Sequence, residues 1–314
     1  MLCWGSWANT QKLAGSSWRF ELFYWDYVFG ILLMALVLAF TLGSSGQQGR
    51  AFLADYAQAD AANIRSALLG GIIFNAANIL LVAAISIAGM SVAFPVGIGI
   101  ALVLGVVINY VSAPQGNAVF LFAGIGLIAL AIVLNASAYK KTTSVNKSPS
   151  ARGLLISVAA GVLMSFFYRF VAASMFPDFT QPIAGRLSPY TAMVFFALGV
   201  LISNFLFNTY IMIRPLSGTR LRFADYFSGG FFNHLSGIIG GMIWCVGMSF
   251  SILASDKAGT AISYGLGQGA TVVAAAWGIF IWKEFKNAPK GVTVLLNLML
   301  LLYIAGIALV IYAR

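Results

Sequence analysis

Asn75 and Asn78 stand three residues apart in a run that is otherwise almost wholly apolar. That spacing puts both amides on one face of a helix. An amide turned toward lipid is costly, so the pair must face protein or a water-filled cavity. Two uses remain open: reading the polar groups of a solute, or hydrogen-bonding one helix to another. Asn9 and Gln268 are further amides in apolar stretches, and aromatic rings recur beside them at Trp4, Trp7, Phe94, Tyr168, Trp244 and Tyr264. Amides that read hydroxyl or ureido groups and rings that pack on apolar faces would suit a small, polar, uncharged solute. The competing use for the rings is anchoring helix ends at the membrane surface.

Three ionisable residues could couple transport to an ion. Asp26 lies in Tyr24-Trp25-Asp26-Tyr27, where it could also cap a helix start. His234 is the one histidine, and imidazole titrates in the physiological range. Arg169 is the one cation well inside an apolar run, though it is near enough to the end to snorkel outward. The sequence has no His-Glu-x-x-His, no Gly-x-Ser-x-Gly and no phosphate loop, so neither an enzyme nor an ATP-driven pump is expected. No metal or cofactor is expected either. Cys3 and Cys245 lack metal-ligand spacing.

These residues need a membrane scaffold. Hydrophobic residues make up 61% of the chain, charged residues only 8%, and mean hydropathy is +0.92. A soluble domain carries about 25% charged residues. Hydropathy predicts ten transmembrane helices, over 1–15, 23–43, 67–88, 91–111, 118–138, 153–175, 190–212, 231–253, 258–282 and 292–312. The first is short of the roughly 20 residues a span needs, which predicts a helix whose opening segment precedes Met1. A short surface helix is expected over Asp55–Arg65.

The chain also contains part of itself twice. At an offset of 170, Ala54-Asp55-Tyr56 meets Ala224-Asp225-Tyr226, Gly70-Gly71 meets Gly240-Gly241, and Gly97 and Gly99 meet Gly267 and Gly269. A unit this long is a duplicated half-protein, a plan common among transporters. Five helices per half is odd, so the second copy must cross the membrane in the opposite sense. The expected fold is an all-α integral membrane protein of two inverted five-helix repeats, 1–139 and 153–314, joined by a polar loop over 140–152. Matching Gly- and Pro-interrupted segments make Pro95, Gly97, Gly99, Gly267 and Gly269 candidate hinges near a midplane site. Asp55 and Asp225 read as loop-to-helix caps. Of the Lys and Arg residues in loops, twelve fall in one set and five in the opposite set, which predicts both termini outside. The net charge of +10 reflects this loop bias and predicts no nucleic-acid partner.

Gly70-Gly71, Asn78, Gly89, Ser91 and Asn109-Tyr110, with Asp26-Tyr27 and Gly5-Ser6-Trp7, resemble the ureide permease family of the drug/metabolite transporter superfamily. Ser91-x-Ala93-Phe94-Pro95 followed by Gly97-x-Gly99 is similar to the glucose/ribose sugar porters. The resemblance implies solute uptake by alternating access, often proton-coupled. Two departures stand out. The family carries an acidic residue where this chain has Phe94, and a nucleotide-binding-like motif in a longer central loop. The expected function is secondary active transport of a ureide, nucleobase or sugar, by a monomer or homodimer in the plasma (inner) membrane. The alternatives are an exporter of hydrophobic or amphiphilic metabolites and a membrane scaffold or sensor without flux.

Overall fold

The structure is a computed structural model. It describes residues 1–15, 18–45, 49–88, 90–142, 151–215, 218–283, 285–286, 288–289 and 291–314, without the side chains of residues 90–92, 94 and 139. Backbone amides in lipid must bond within their own segment, and the apolar runs accordingly fold as helices. These are α1 (Leu2–Ser6), α2 (Ala8–Leu13), α3 (Phe20–Phe40), α4 (Phe52–Gln58), α5 (Ala61–Ala88), α6 (Met90–Ser112) and α7 (Ala118–Thr142). They continue as α8 (Ala151–Ser174), α9 (Pro189–Ile213), α10 (Phe223–Phe227), α11 (Phe231–Ala258), α12 (Thr260–Gln268), α13 (Ala270–Ala276) and α14 (Val292–Tyr312).

Among the described residues, nine helical segments are long and apolar enough to span a bilayer. The expected first span is instead two short helices, α1 and α2, meeting at Trp7. The expected surface helix is α4 alone, because residues from Ala61 onward already belong to the long α5. The expected ninth span is broken: α12 stops at Gln268, α13 starts at Ala270, and a π-helical turn follows over Trp277–Ile281. The segment expected to match it, α6, instead runs on through Pro95.

The helices gather into two compact units, and each draws on both halves of the sequence. One unit holds Met1–Gly5, Ala77–Ser165 and Lys257–Arg314; the other holds Ser6–Ala76 and Phe166–Asp256. In the first, α7 packs along α14 where Gly124 faces Gly306, and α12 packs on α6. There the Tyr264 ring fills the space beside Gly105, and its hydroxyl donates to the Ala101 carbonyl at 2.9 Å.

In the second unit two helix crossings are so close that side chains are excluded. A Cβ on Gly30 of α3 would run into the Ile238 carbonyl of α11, and one on Gly241 of α11 into the Tyr27 carbonyl of α3. A Cβ on Gly199 of α9 would meet the Leu68 carbonyl of α5, and one on Gly71 of α5 the Phe196 carbonyl of α9. Gly71 and Gly241 are 170 apart, as are Leu68 and Ile238, while Gly30 and Gly199 are 169 apart. The two crossings therefore make the same kind of contact at matching positions. The paired aspartates have diverged. The Asp225 carboxylate accepts the Arg222 amide at 2.6 Å and caps α10. Asp55 is fully buried, pairs with Arg50 and accepts the Ser188 amide at 2.7 Å, so it secures the 183–188 loop and is not a cap.

Overpacking costs on the order of 1–3 kcal/mol where neighbours can shift, and a backbone carbonyl has little room to do so. Gly241→Leu should therefore abolish the monodisperse peak in detergent size-exclusion chromatography. Gly99→Ala, with no neighbouring atom within 4 Å of the added carbon, should match or slightly exceed wild type in thermal stability.

Candidate functional site

The second unit gathers most of the polar and aromatic residues singled out in the sequence. Asn75, on α5, is fully buried. Its Oδ1 accepts the Tyr24 hydroxyl of α3 at 2.9 Å. Its Nδ2 donates to the Ser203 hydroxyl of α9 at 2.9 Å and the Val200 carbonyl at 3.2 Å. Both amide hydrogens are engaged, and one side chain binds three helices. Of the two uses open to it, the joining one is visible.

An aromatic cluster surrounds this amide. Phe74 lies 4.5 Å from Trp244, ring centroid to centroid, and Trp244 stacks on Phe196 at 5.8 Å with 13° between planes. Trp7 sits 4.6 Å from Tyr27, which continues into the stacked series Tyr27, Tyr24 and Phe20. Tyr27 is fully buried, and its hydroxyl has no hydrogen-bond partner. Both atoms of the buried Asn204 amide are also unpartnered. Burying such groups unpaired is expensive, so they are sites where a water or a polar ligand atom gains. Tyr168 is buried and donates to the Ser251 carbonyl at 3.2 Å, and Asn9 bonds the Ser6 carbonyl at 3.0 Å.

Asp26 does not cap a helix. It is the seventh residue of α3, 2% exposed, and is held from two sides. His234 Nδ1 of α11 lies 3.0 and 3.1 Å from its two oxygens, and the Tyr226 hydroxyl of α10 donates to it at 2.6 Å. An ionised carboxylate only accepts, so it holds the imidazole with Nδ1 protonated. Burial, and then the bond to Asp26, raise the Tyr226 hydroxyl above its ordinary pKa and keep it a donor. Trp18 stands edge-on to His234 with centroids 5.3 Å apart. Arg169, the other coupling candidate, is exposed and lies five residues before α8 ends, which suits a side chain that snorkels.

The first unit holds the remaining candidates. The Trp4 ring covers Gly267, and Gly97 packs against Leu81. Asn78 is buried in α5, Tyr264 ties α12 to α6, and Gln268 ends α12 at the break marked by Gly269. Phe94 lies on α6, but its side chain is outside the described residues.

Tyr24, Ser203, Tyr226 and Trp18 are not among the sequence candidates. Tyr226 could have been found, since it ends the repeated Ala-Asp-Tyr motif. Tyr24 and Ser203 sit in ordinary apolar runs, and only the fold pairs them with Asn75.

The ureide permease family model matches residues 23–151 and 139–313. The chain belongs to the ureide permease family. Ureide permease 1 of Arabidopsis thaliana is 22% identical over 98% of this chain and 93% of its own. Ureide permease 2 of the same plant is 22% identical over 91% and 87%. A solved chain described only as the crystal structure of a protein overlays with a TM-score of 0.59 at 16% identity, over 100% of this chain and 94% of its own, and shares the fold. With nine apolar spans among its described residues, this member of the ureide permease family is a multi-pass integral membrane protein, and a permease in place of an enzyme.

Asn75 and Tyr24 should be energetically coupled. Interhelical hydrogen bonds in membranes average about 0.6 kcal/mol in double-mutant cycles, with a ceiling of about 1.7. A cycle of Tyr24→Phe and Asn75→Ala, followed by unfolding in mixed micelles, should give coupling in that range. Additive effects would show that the bond contributes nothing.

Proposed function

We propose that this chain is a secondary transporter that moves a ureide or a related small, polar, largely uncharged solute by alternating access, coupled to protons through Asp26 and His234. Family membership across nearly the whole chain carries the transport reading. The ureide class comes from what the relatives are named for.

A ureido group offers alternating N–H donors and carbonyl acceptors on a flat frame. Such a solute suits the Tyr27 hydroxyl and the Asn204 amide, which the protein leaves unpaired. Trp7, part-exposed and 4.6 Å from Tyr27, supplies a face on which a planar solute can lie. Within the other unit, taken by itself, Asn78, Tyr264 and Gln268 remain candidate contacts, and the break at Gly269 a candidate hinge. Asn75 acts in this scheme as a positioning residue, since it fixes Tyr24.

The coupling assignment is supported by asymmetry. The glycine crossings are duplicated, but the acid–imidazole pair is not. In the register of the two crossings, where Tyr27 and Phe196 take the same place, Asp26 corresponds to Phe195 and His234 to Ile64. A pair that one copy dispenses with is not needed to hold the crossing together. Its carboxylate joins α3 to α11 and, through Tyr226, to the α9–α11 connection. Protonating Asp26 replaces an acceptor of both bonds by a neutral acid and loosens that junction. Proton arrival is thereby linked to helix movement.

The decisive experiment is uptake of labelled allantoin, uracil, xanthine, glucose and ribose into proteoliposomes, with and without an inward proton gradient. Gradient-stimulated uptake of allantoin or a nucleobase is expected. Tyr27→Phe should raise KM for that solute about tenfold, the loss of one hydrogen bond of roughly 1.4 kcal/mol. Asp26→Asn should abolish stimulation by the gradient while counterflow exchange persists. Uptake of sugars alone would overturn the solute class, and undiminished stimulation in Asp26→Asn would overturn the coupling role.

A further inference from the structure

Asp26 is the acid whose charge the coupling scheme changes, yet it is withdrawn from water. Its side chain is 3% exposed, whereas that of His234 is 26% exposed. Both short contacts between them run through Nδ1 of the imidazole, at 3.0 and 3.1 Å from the two carboxylate oxygens. One ring nitrogen is thus given to the buried acid, and Nε2 points away from it. Trp18 and Tyr226 stand edge-on to the ring, at 5.3 and 4.8 Å between centroids, and hold it in this orientation.

Nε2 meets Gly229, in the connection between α10 and α11. A Cβ on Gly229 would lie 2.7 Å from Nε2 and would run into the Trp18 ring. The Gly229 φ is not positive, so its backbone does not call for glycine, and the space beside the imidazole does. Gly229 also lines an open cleft of about 350 Å³, together with Trp18, Arg19, Asp225, Ser228 and Asn233. One residue without a side chain therefore borders both the cleft and Nε2. The charged and titratable groups around the pair are committed elsewhere. Arg19 pairs with Glu21, and Asp225 accepts the Arg222 amide. The Tyr226 hydroxyl donates to Asp26, and burial followed by that bond keeps it protonated.

Resting on the proton-coupled reading above, we propose that this cleft is the port through which protons reach Asp26, with His234 as the relay and Gly229 as the opening. A hydronium ion in the cleft protonates Nε2. Nδ1 then passes its proton to an Asp26 oxygen, the N–H bond breaking as the O–H bond forms. A water, an imidazole with its proton on Nε2 and a neutral acid remain, so one proton has moved from the cleft to Asp26. The reverse transfers restore the starting pair. The 3.0 Å separation is within reach of direct proton transfer, and an imidazole offers one nitrogen to each side. A side chain at 229 would cover Nε2. The port lies where α3 and α11 begin, so Asp26 exchanges protons with water at that end of the two helices.

His234 is the one histidine of the chain. Its carbethoxylation by diethylpyrocarbonate, read on its peptide by mass spectrometry, therefore reports access to the ring in the folded protein. The wild type should be labelled readily, and labelling should remove the stimulation of uptake by a proton gradient. Gly229→Ala should slow labelling and gradient-stimulated uptake together. His234→Asn puts an amide N–H in the place of Nδ1 but cannot carry a proton, so it should keep the melting temperature and lose the stimulation. Resistance of wild-type His234 to the reagent would overturn the port, and this measurement needs no variant. Full stimulation in His234→Asn, beside its loss in Asp26→Asn, would overturn the relay and leave the coupling reading standing. No response of the wild type to the gradient, with His234 readily labelled, would overturn the coupling reading and the relay with it.

Discussion

Close backbone approach at four glycines is the constraint on which the second unit rests. In a bilayer apolar side chains gain nothing by leaving lipid for each other, so helices associate through packing and hydrogen bonds. Gly30, Gly71, Gly199 and Gly241 let main chains touch. That proximity brings the Asn75 amide within reach of Tyr24 and Ser203, and His234 within reach of Asp26. With larger residues at the crossings, each of these bonds would have to stretch or break, and the buried polar groups would stand unpaired. The polar network is thus a consequence of the packing, and it then locks the register of the helices that packing has brought together.

The spans are legible because their signal is composition over about 20 residues, which needs no tertiary partner. Eight of the expected full-length spans begin or end within a few residues of the observed helices; α5 begins earlier, at Ala61, because Ala61–Arg65 is polar on the surface yet helical in continuity with the apolar run. The ninth also lies where hydropathy puts it, but hydropathy is blind to a break such as Gly269, which changes the backbone without changing the polarity of the segment. Residues 1–15 read as part of one helix, yet the chain turns at Trp7.

The candidate site is legible in its residue types and less so in its roles. Sequence marks a buried amide as expensive, but solute and helix satisfy it equally well on paper. The role of Asn75 becomes plain only with Tyr24, Val200 and Ser203 around it. Asp26 reads as a cap because hydropathy starts the helix three residues late, at 23 instead of Phe20. Its pairing with His234, 208 positions away, depends wholly on the α3–α11 crossing. Arg169 shows the converse: a charge conspicuous in the sequence whose long stem carries it to an exposed position.

The matched crossings also bear on how such a chain could arise from a duplicated half. Each crossing joins a helix of the first half to a helix of the second: Gly30 meets Ile238, and Gly199 meets Leu68. A single half therefore owns both faces of the contact, and a surface complementary to its own copy is what a twofold dimer requires. Two separate copies would meet only as often as their concentration allowed, whereas a tether makes the encounter intramolecular. Once tethered, the copies no longer need to be interchangeable. One can acquire an acid and an imidazole while the other keeps phenylalanine and isoleucine, and a symmetric pair becomes an asymmetric one.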